Sequence, residues 1–328
     1  MSKIRIGFIG SGNIAGAHAI RMAKIPEIEI AALCDIDPDA FARLHQRAPN
    51  TAGPPTFADY RDMLDSVELD AVAVLTPHVL HYEHIMTSLD RGLHVLTEKP
   101  MVCTTKHAQE IIERQAQTGK VVLVSYQRRY HRTYRFIRDL VQNNMLGQIQ
   151  YISALQSQNW LRDQEGKWRQ DPALSGGGQL NDSGSHLLDI LLWMTDLTPA
   201  TVYATCENFG KQVDINTGLT VRCTNGTIMN LAVVGHGTEF YEDVTIWGEK
   251  GVAYYRNGTV RVRLRGESED RGIPEDIEDS NPDRNFVDAV LGTDTVHSTP
   301  ADALKVISLT ECAWRSAELG QPVSTGLA

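Results

Sequence analysis

The sequence predicts an α/β protein in two parts: a doubly wound parallel sheet over residues 1–124, then an α+β part over residues 125–328 built on a large, mostly antiparallel open sheet. Three observations carry this. Apolar runs alternate with helical segments up to residue 124, as crossover connections between parallel strands require. Beyond residue 148 the texture changes to alternating segments separated by turn residues, including Asn225-Gly226 and Asn257-Gly258. A chain of 328 residues also exceeds what one hydrophobic core usually serves.

Ile4 to Ile9 reads as a short buried strand running into Gly10-Ser11-Gly12-Asn13-Ile14-Ala15-Gly16, a glycine turn that opens a helix. Gly10 permits the tight turn and Gly12 lets the backbone approach a pyrophosphate. The helix, entered through Asn13 and Ile14, presents unpaired N–H groups to that anion, and Ala15 fills the third small-residue position. A second strand, 28–33, leads to Asp35, placed where an acidic residue reaches a cofactor ribose. A 2′-phosphate would meet Asp35 and Asp37 with no arginine between them, which favours NAD over NADP. The alternative for Asp35 is a cap on the turn before Pro38. Three further strands follow at 71–75, 94–96 and 121–124, and Thr76-Pro77-His78 lies beyond a strand's carboxyl end, where doubly wound sheets bind ligands.

In the second part, strands are expected at 150–158, 201–208, 218–223, 228–234, 243–247 and 260–264, with an acidic surface loop at 267–283 and helical texture at 285–319. Arginines 128, 129, 132, 135 and 138 read as a solvated helix flank. Two short stretches carry the chemistry: Glu98-Lys99-Pro100 at a strand end, and Gly176-Gly177-Gly178 leading to Asp182 and His186. Asp182, His186 and Asp189 fall on one face of a helix at i, i+4 and i+7. A lysine with an aspartate and a histidine suits moving a proton on and off a hydroxyl group. His186 is the candidate base, since its ordinary pKa lies near ~6.5; the competing role for a histidine on this Leu-rich helix is packing.

A formal charge of −10 argues against nucleic acid or an anionic membrane as partner. No apolar run approaches the ~20 residues that cross a bilayer, and a strand beginning at residue 3 or 4 leaves no room for a leader peptide. The five cysteines lack metal-ligand spacing and read as reduced thiols of a cytoplasmic protein, with no metal site.

The ordered set of motifs resembles the Gfo/Idh/MocA oxidoreductases, named for glucose-fructose oxidoreductase and inositol dehydrogenase. It runs through nearly the whole chain: GxGxxA with His18 after it, Thr76-Pro77 with His81, His94-Val95-Leu96 before Glu98-Lys99-Pro100, Gln127-Arg128-Arg129-Tyr130, Trp168-Arg169 with Asp171-Pro172, and GGGxxxDxGxHxxD from Gly176 to Asp189. Ser125 and Ser183 depart slightly from the family pattern. The resemblance implies a Rossmann domain and hydride transfer between a nicotinamide cofactor and a secondary alcohol of a sugar, cyclitol or polyol. Lys99 would stabilise the reacting oxygen, with Asp182 and His186 beside it. Thr76, Pro77, His81, Glu98, Gln127, Trp168 and Arg169 would join Gly10, Gly12 and Asp35 around the cofactor, Arg169 and Trp168 through a loop near the nicotinamide. Pro100 allows a cis peptide bond before it. Arg162, His236 and Tyr241 are candidate binders of substrate hydroxyls, and a homodimer or homotetramer is the family expectation. Two alternatives occur in the same family: a glycosidase that oxidises its sugar transiently, and a sugar-sensing regulator without catalysis, against which an intact Lys99, Asp182 and His186 argues.

Overall fold

The computed structural model describes residues 3–327. The chain forms two compact units, and the first is discontinuous: residues 1–102, 106–127 and 280–301 belong to it, the remainder to the second.

The first unit holds β1 (Ile4–Ile9), α1 (Asn13–Met22), β2 (Ile28–Cys34), α2 (Pro38–Arg47), β3 (Thr56–Phe57), α3 (Tyr60–Ser66), β4 (Ala71–Val74), α4 (His81–Asp90), β5 (His94–Thr97), α5 (Thr105–Thr118) and β6 (Val122–Val124). The six strands pair in parallel in the order β3-β2-β1-β4-β5-β6, the doubly wound arrangement that the alternating pattern implies. β4 is buried along its whole length, as a strand covered on both faces must be. β3 escaped the sequence because two residues show no period.

The second unit holds α6 (Arg132–Gln142), β7 (Ile149–Ser157), α7 (Trp160–Asp163), α8 (Pro172–Ser175), α9 (Gly184–Thr195), β8 (Pro199–Glu207), β9 (Asn216–Cys223), β10 (Ile228–Val234), β11 (Tyr241–Gly248), β12 (Gly251–Arg256) and β13 (Thr259–Leu264). After α10 (Pro282–Leu291), which lies in the first unit, it closes with α11 (Pro300–Leu319) and β14 (Val323–Ser324). Its sheet runs β13-β12-β11-β7-β10-β9-β8-β14, antiparallel except where β10 pairs in parallel with β7. The run Val252-Ala253-Tyr254-Tyr255 lacks polar contrast, so β12 was hidden among the expected strands. α9 is apolar nearly all round and correspondingly enclosed, with Leu187, Leu188, Ile190, Leu191 and Met194 buried. Among the described residues, no helix is long and apolar enough to cross a membrane.

Three expectations need correction. α10 starts inside the stretch expected to be an acidic loop: Asn281 caps it by accepting Arg284 N, and Asp283 is completely buried. Phe286 and Val287 of α10 pack into the core of the first unit with Phe8, Ala19 and Leu96, which is why residues 280–301 belong there. The arginine flank is only partly solvated. Arg129 is 4% exposed, with its guanidinium on Asp189 and Asp302, and Arg128 pairs with the fully buried Glu242 at 2.6 Å. Asp189 is therefore a buried partner of Arg129 and does not face outward from the helix. Third, α9 begins at Gly184, so Asp182 sits in the turn before it and only His186 and Asp189 are helical.

Candidate active site

In the first unit, β1 delivers Gly10 with φ of +97°, and a Cβ there would stand 2.8 Å from the backbone of Leu75, so only glycine fits. Gly12 then caps α1 without a side-chain hydrogen bond, no acidic residue occupies the first turn, and a Cβ on Gly12 would meet nothing within 4 Å. An open, uncapped helix N-terminus is the cradle a pyrophosphate needs, and Asn13 and Ile14 form its first turn.

Asp35 closes the end of β2. Its Oδ2 accepts Ser11 N at 2.7 Å and its Oδ1 accepts Asp37 N at 2.9 Å, which ties the glycine turn to the second strand. Capping and ribose binding are thus compatible roles. Ile36 beside it is 91% exposed. Two arginines lie near: Arg43 pairs with Asp37, and Arg47 donates to Asn13 Oδ1.

At the ends of β4 and β5, Thr76 Oγ1 lies 3.0 Å from His84 Nδ1, and burial lowers the His84 pKa to about 4. His81, expected at the cofactor, is fully enclosed. Its Nδ1 and Nε2 each lie 2.8 Å from a carbonyl oxygen, those of Pro100 and Thr76, and burial lowers its pKa, so the single N–H of the neutral ring bonds one of the two. Lys99 is half-buried and the Lys99–Pro100 bond is cis. Glu98 is also turned inward, with Oε2 accepting Lys99 N at 3.1 Å and Oε1 3.1 Å from His18 Nε2. Burial pushes the Glu98 carboxyl up, but His18, Lys99 and Ser125 outweigh it and hold the pKa below the ordinary value. Pro77 is half-buried and Gln127 exposed.

The second unit builds its own cluster around Asp182, which is 5% exposed. Its Oδ2 accepts the indole N–H of Trp160 at 2.8 Å and lies 3.0 Å from Arg169 Nε. The Arg169 guanidinium is 4.4 Å from the ring centroid of Trp168, so the Trp168-Arg169 pair is engaged at Asp182. The turn beneath is pinned by Asp214: its carboxylate accepts Gly178 N at 2.9 Å, Leu180 N at 2.8 Å and Trp314 Nε1 at 2.8 Å. A Cβ on Gly178 would stand 1.9 Å from the Asp214 carbonyl oxygen, which explains that glycine. His186 follows in the first turn of α9, half-buried. Arg162 sits two residues after Trp160 on α7 and is exposed, since i and i+2 do not share a helix face. His236 is exposed as well, its ring edge-on to Phe209, and Tyr241 donates weakly to Asp243. Sequence reasoning missed Trp160, Asp214 and Asp283. The only signal for Trp160 was an indole just after a strand, and nothing in spacing joined the two acids to the motifs.

Residues 4–126 match a family described as oxidoreductase family, NAD-binding Rossmann fold, and residues 134–254 match the GFO/IDH/MocA C-terminal domain. The chain belongs to this GFO/IDH/MocA oxidoreductase family. Among curated relatives, D-glucoside 3-dehydrogenase of Escherichia coli (strain K12) is 29% identical over 211 residues, 64% of this chain and 59% of that protein. Inositol 2-dehydrogenase 3 of Saccharopolyspora erythraea is 32% identical over 146 residues, 44% of this chain and 42% of the relative. The match thus spans less than two thirds of either relative's length. Among solved structures, a WlbA dehydrogenase from Chromobacterium violaceum, in complex with NADH and UDP-GlcNAcA, superimposes with a TM-score of 0.89 over 100% of this chain and 97% of that one. At 24% identity, that likeness concerns the fold.

Proposed function

We propose that this chain transfers a hydride between NAD and a secondary alcohol of a sugar, cyclitol or polyol. The observation that carries the reading is the placement of Lys99. It follows β5 at the carboxyl edge of the parallel sheet, its backbone N–H held by Glu98, in the same unit as the open Gly12 cradle. The uncapped α1 N-terminus fits a pyrophosphate, and Asp35 fits the ribose hydroxyls and favours NAD over NADP. Arg43 does not reverse that preference, because its guanidinium is spent on Asp37. When bound, NAD supplies the hydride chemistry.

The protein supplies positioning and proton handling. The Lys99 ammonium stabilises negative charge developing on the reacting oxygen. His186 takes the hydroxyl proton in the oxidative direction and returns it in the reductive one. Asp182, fixed by Trp160 and Arg169, accepts a hydrogen bond from a hydroxyl of the substrate. Homo-oligomerisation belongs to the same reading: Tyr203, Ile228 and Trp247 are 43%, 37% and 38% exposed on one face of the eight-stranded sheet, and an open sheet needs cover.

The test is spectrophotometric. Purified protein is incubated with NAD or NADP and a panel of inositols, aldoses and anhydrosugars, and absorbance of the reduced cofactor is followed. The proposal expects reduction of NAD by one sugar class; NAD binding without reduction by any member contradicts it.

A further inference from the structure

His18 is fully buried one turn into α1, and each ring nitrogen faces a carboxylate oxygen: Nδ1 lies 2.6 Å from Asp283 Oδ1 and Nε2 lies 3.1 Å from Glu98 Oε1. Ionised carboxylates only accept hydrogen bonds, so both nitrogens must donate, and a neutral imidazole has one N–H. Arg21, three residues on along α1, pairs with the other oxygen of Asp283. Its Nη2 stands 3.1 Å from His18 Nδ1, but a guanidinium only donates, so this contact does not bond a protonated Nδ1, whose proton goes to Asp283 at 2.6 Å. Lys99 follows Glu98 directly and donates its backbone N–H to the Glu98 carboxylate. Two carboxylates, Asp283 from α10 and Glu98 after β5, face the His18 ring, with Arg21 on Asp283 and Lys99 beside Glu98. Burial pushes both carboxyls up, but His18, with Lys99 at Glu98 and Arg21 at Asp283, holds each below its ordinary value. Burial alone would lower the His18 pKa, but Asp283 and Glu98 raise it to about 9.

We propose that His18 is a positioning residue, cationic at neutral pH, that clamps Glu98 and through it the backbone of Lys99, with Asp283 of α10 as the anchor of the clamp. The inference rests on the functional reading above, in which Lys99 acts on the reacting oxygen. Glu98 Oε2 holds Lys99 N, which ties the lysine backbone to the clamp. The contribution of α10 also gives residues 280–301 a reason to belong to the first unit.

The experiment combines a spectroscopic and a kinetic readout on the full chain. Ring ¹⁵N spectra of the wild type, with His18 assigned by His18→Asn, should show both nitrogens protonated at neutral pH. Asp283→Asn and Glu98→Gln should each move the ring titration to lower pH. They should also bring the alkaline fall of kcat down with it, and Asp283→Asn should keep NAD affinity within roughly twofold; His18→Asn should lose roughly tenfold or more in kcat. A neutral wild-type ring overturns the proposal, as do Asp283→Asn and Glu98→Gln enzymes with the wild-type pH profile. Where a variant does not fold, the wild-type ring spectrum alone decides. Failure of the functional reading is separate: Lys99→Ala with full turnover removes the role of the lysine, whereas the ring spectra still report whether the clamp is charged.

Discussion

Arg169 Nε lies 3.0 Å from Asp182 Oδ2, the same oxygen that accepts the indole N–H of Trp160 at 2.8 Å. Two donors converging on one oxygen fix the plane of the carboxylate. Trp160→Phe keeps the ring and removes only the donor, and a lost hydrogen bond to a charged group costs about 1.5–3 kcal/mol. We expect kcat/KM for the alcohol to fall about 10- to 100-fold, with NAD affinity unchanged. Arg169→Ala should behave the same way; a large rise in its NAD dissociation constant would instead show that the arginine serves the cofactor.

Asp35 ties the glycine turn to the second strand through Ser11 and Asp37, and the proposed function adds the cofactor ribose. Asp35→Ser should raise KM for NAD and lower the NAD/NADP preference by roughly tenfold or more. Unchanged preference in steady-state assays with both cofactors would remove the ribose role and leave the bonds to Ser11 and Asp37 as its function.

The buried charge cluster makes stability depend on pH. His18 has a folded pKa raised to about 9, so its contribution is complete below its ordinary value and is lost as pH rises through about 9. Glu98 and Asp283 are held low, so theirs is present above the ordinary carboxylate range and lost as pH falls. Urea unfolding of the wild type should therefore weaken between pH 7 and 9.5, by on the order of 3 kcal/mol from His18. Asp283→Asn should flatten that slope; an equal slope in both proteins would contradict the assignment.

Two glycines of similar sequence appearance should respond in opposite ways. Gly178→Ala puts a Cβ 1.9 Å from the Asp214 carbonyl oxygen, and overpacking of this kind costs about 1–3 kcal/mol or more. A lower melting temperature is expected. Gly12→Ala meets nothing within 4 Å, so the fold should keep its melting temperature while NAD binding, read by calorimetry, weakens because the methyl enters the cradle.

Much of this was readable from local pattern. β10 was expected at 228–234 and lies there, because a short, mostly apolar run following the Asn225-Gly226 turn specifies a strand. The glycine turn at the end of β1 was readable because it depends on short-range spacing. What stayed hidden depends on partners far along the chain. Arg129 looked solvated because Asp189 and Asp302, which neutralise it, are distant in sequence. Asp283 looked like one acid in an acidic loop because its partner His18 is 265 residues away. Trp160 and Asp214 support the glycine-rich turn through contacts that no period encodes, and the late start of α9 follows from that support.

The central claim concerns Lys99, and the most direct measurement compares Lys99→Ala with the wild type in two assays on the same preparations: NAD titration by calorimetry, and steady-state NAD reduction with the responding sugar. Loss of a preorganised electrostatic stabiliser costs about 10²–10³ in kcat. The account predicts a fall of that order with NAD affinity nearly intact. Equal turnover in the two proteins would contradict it.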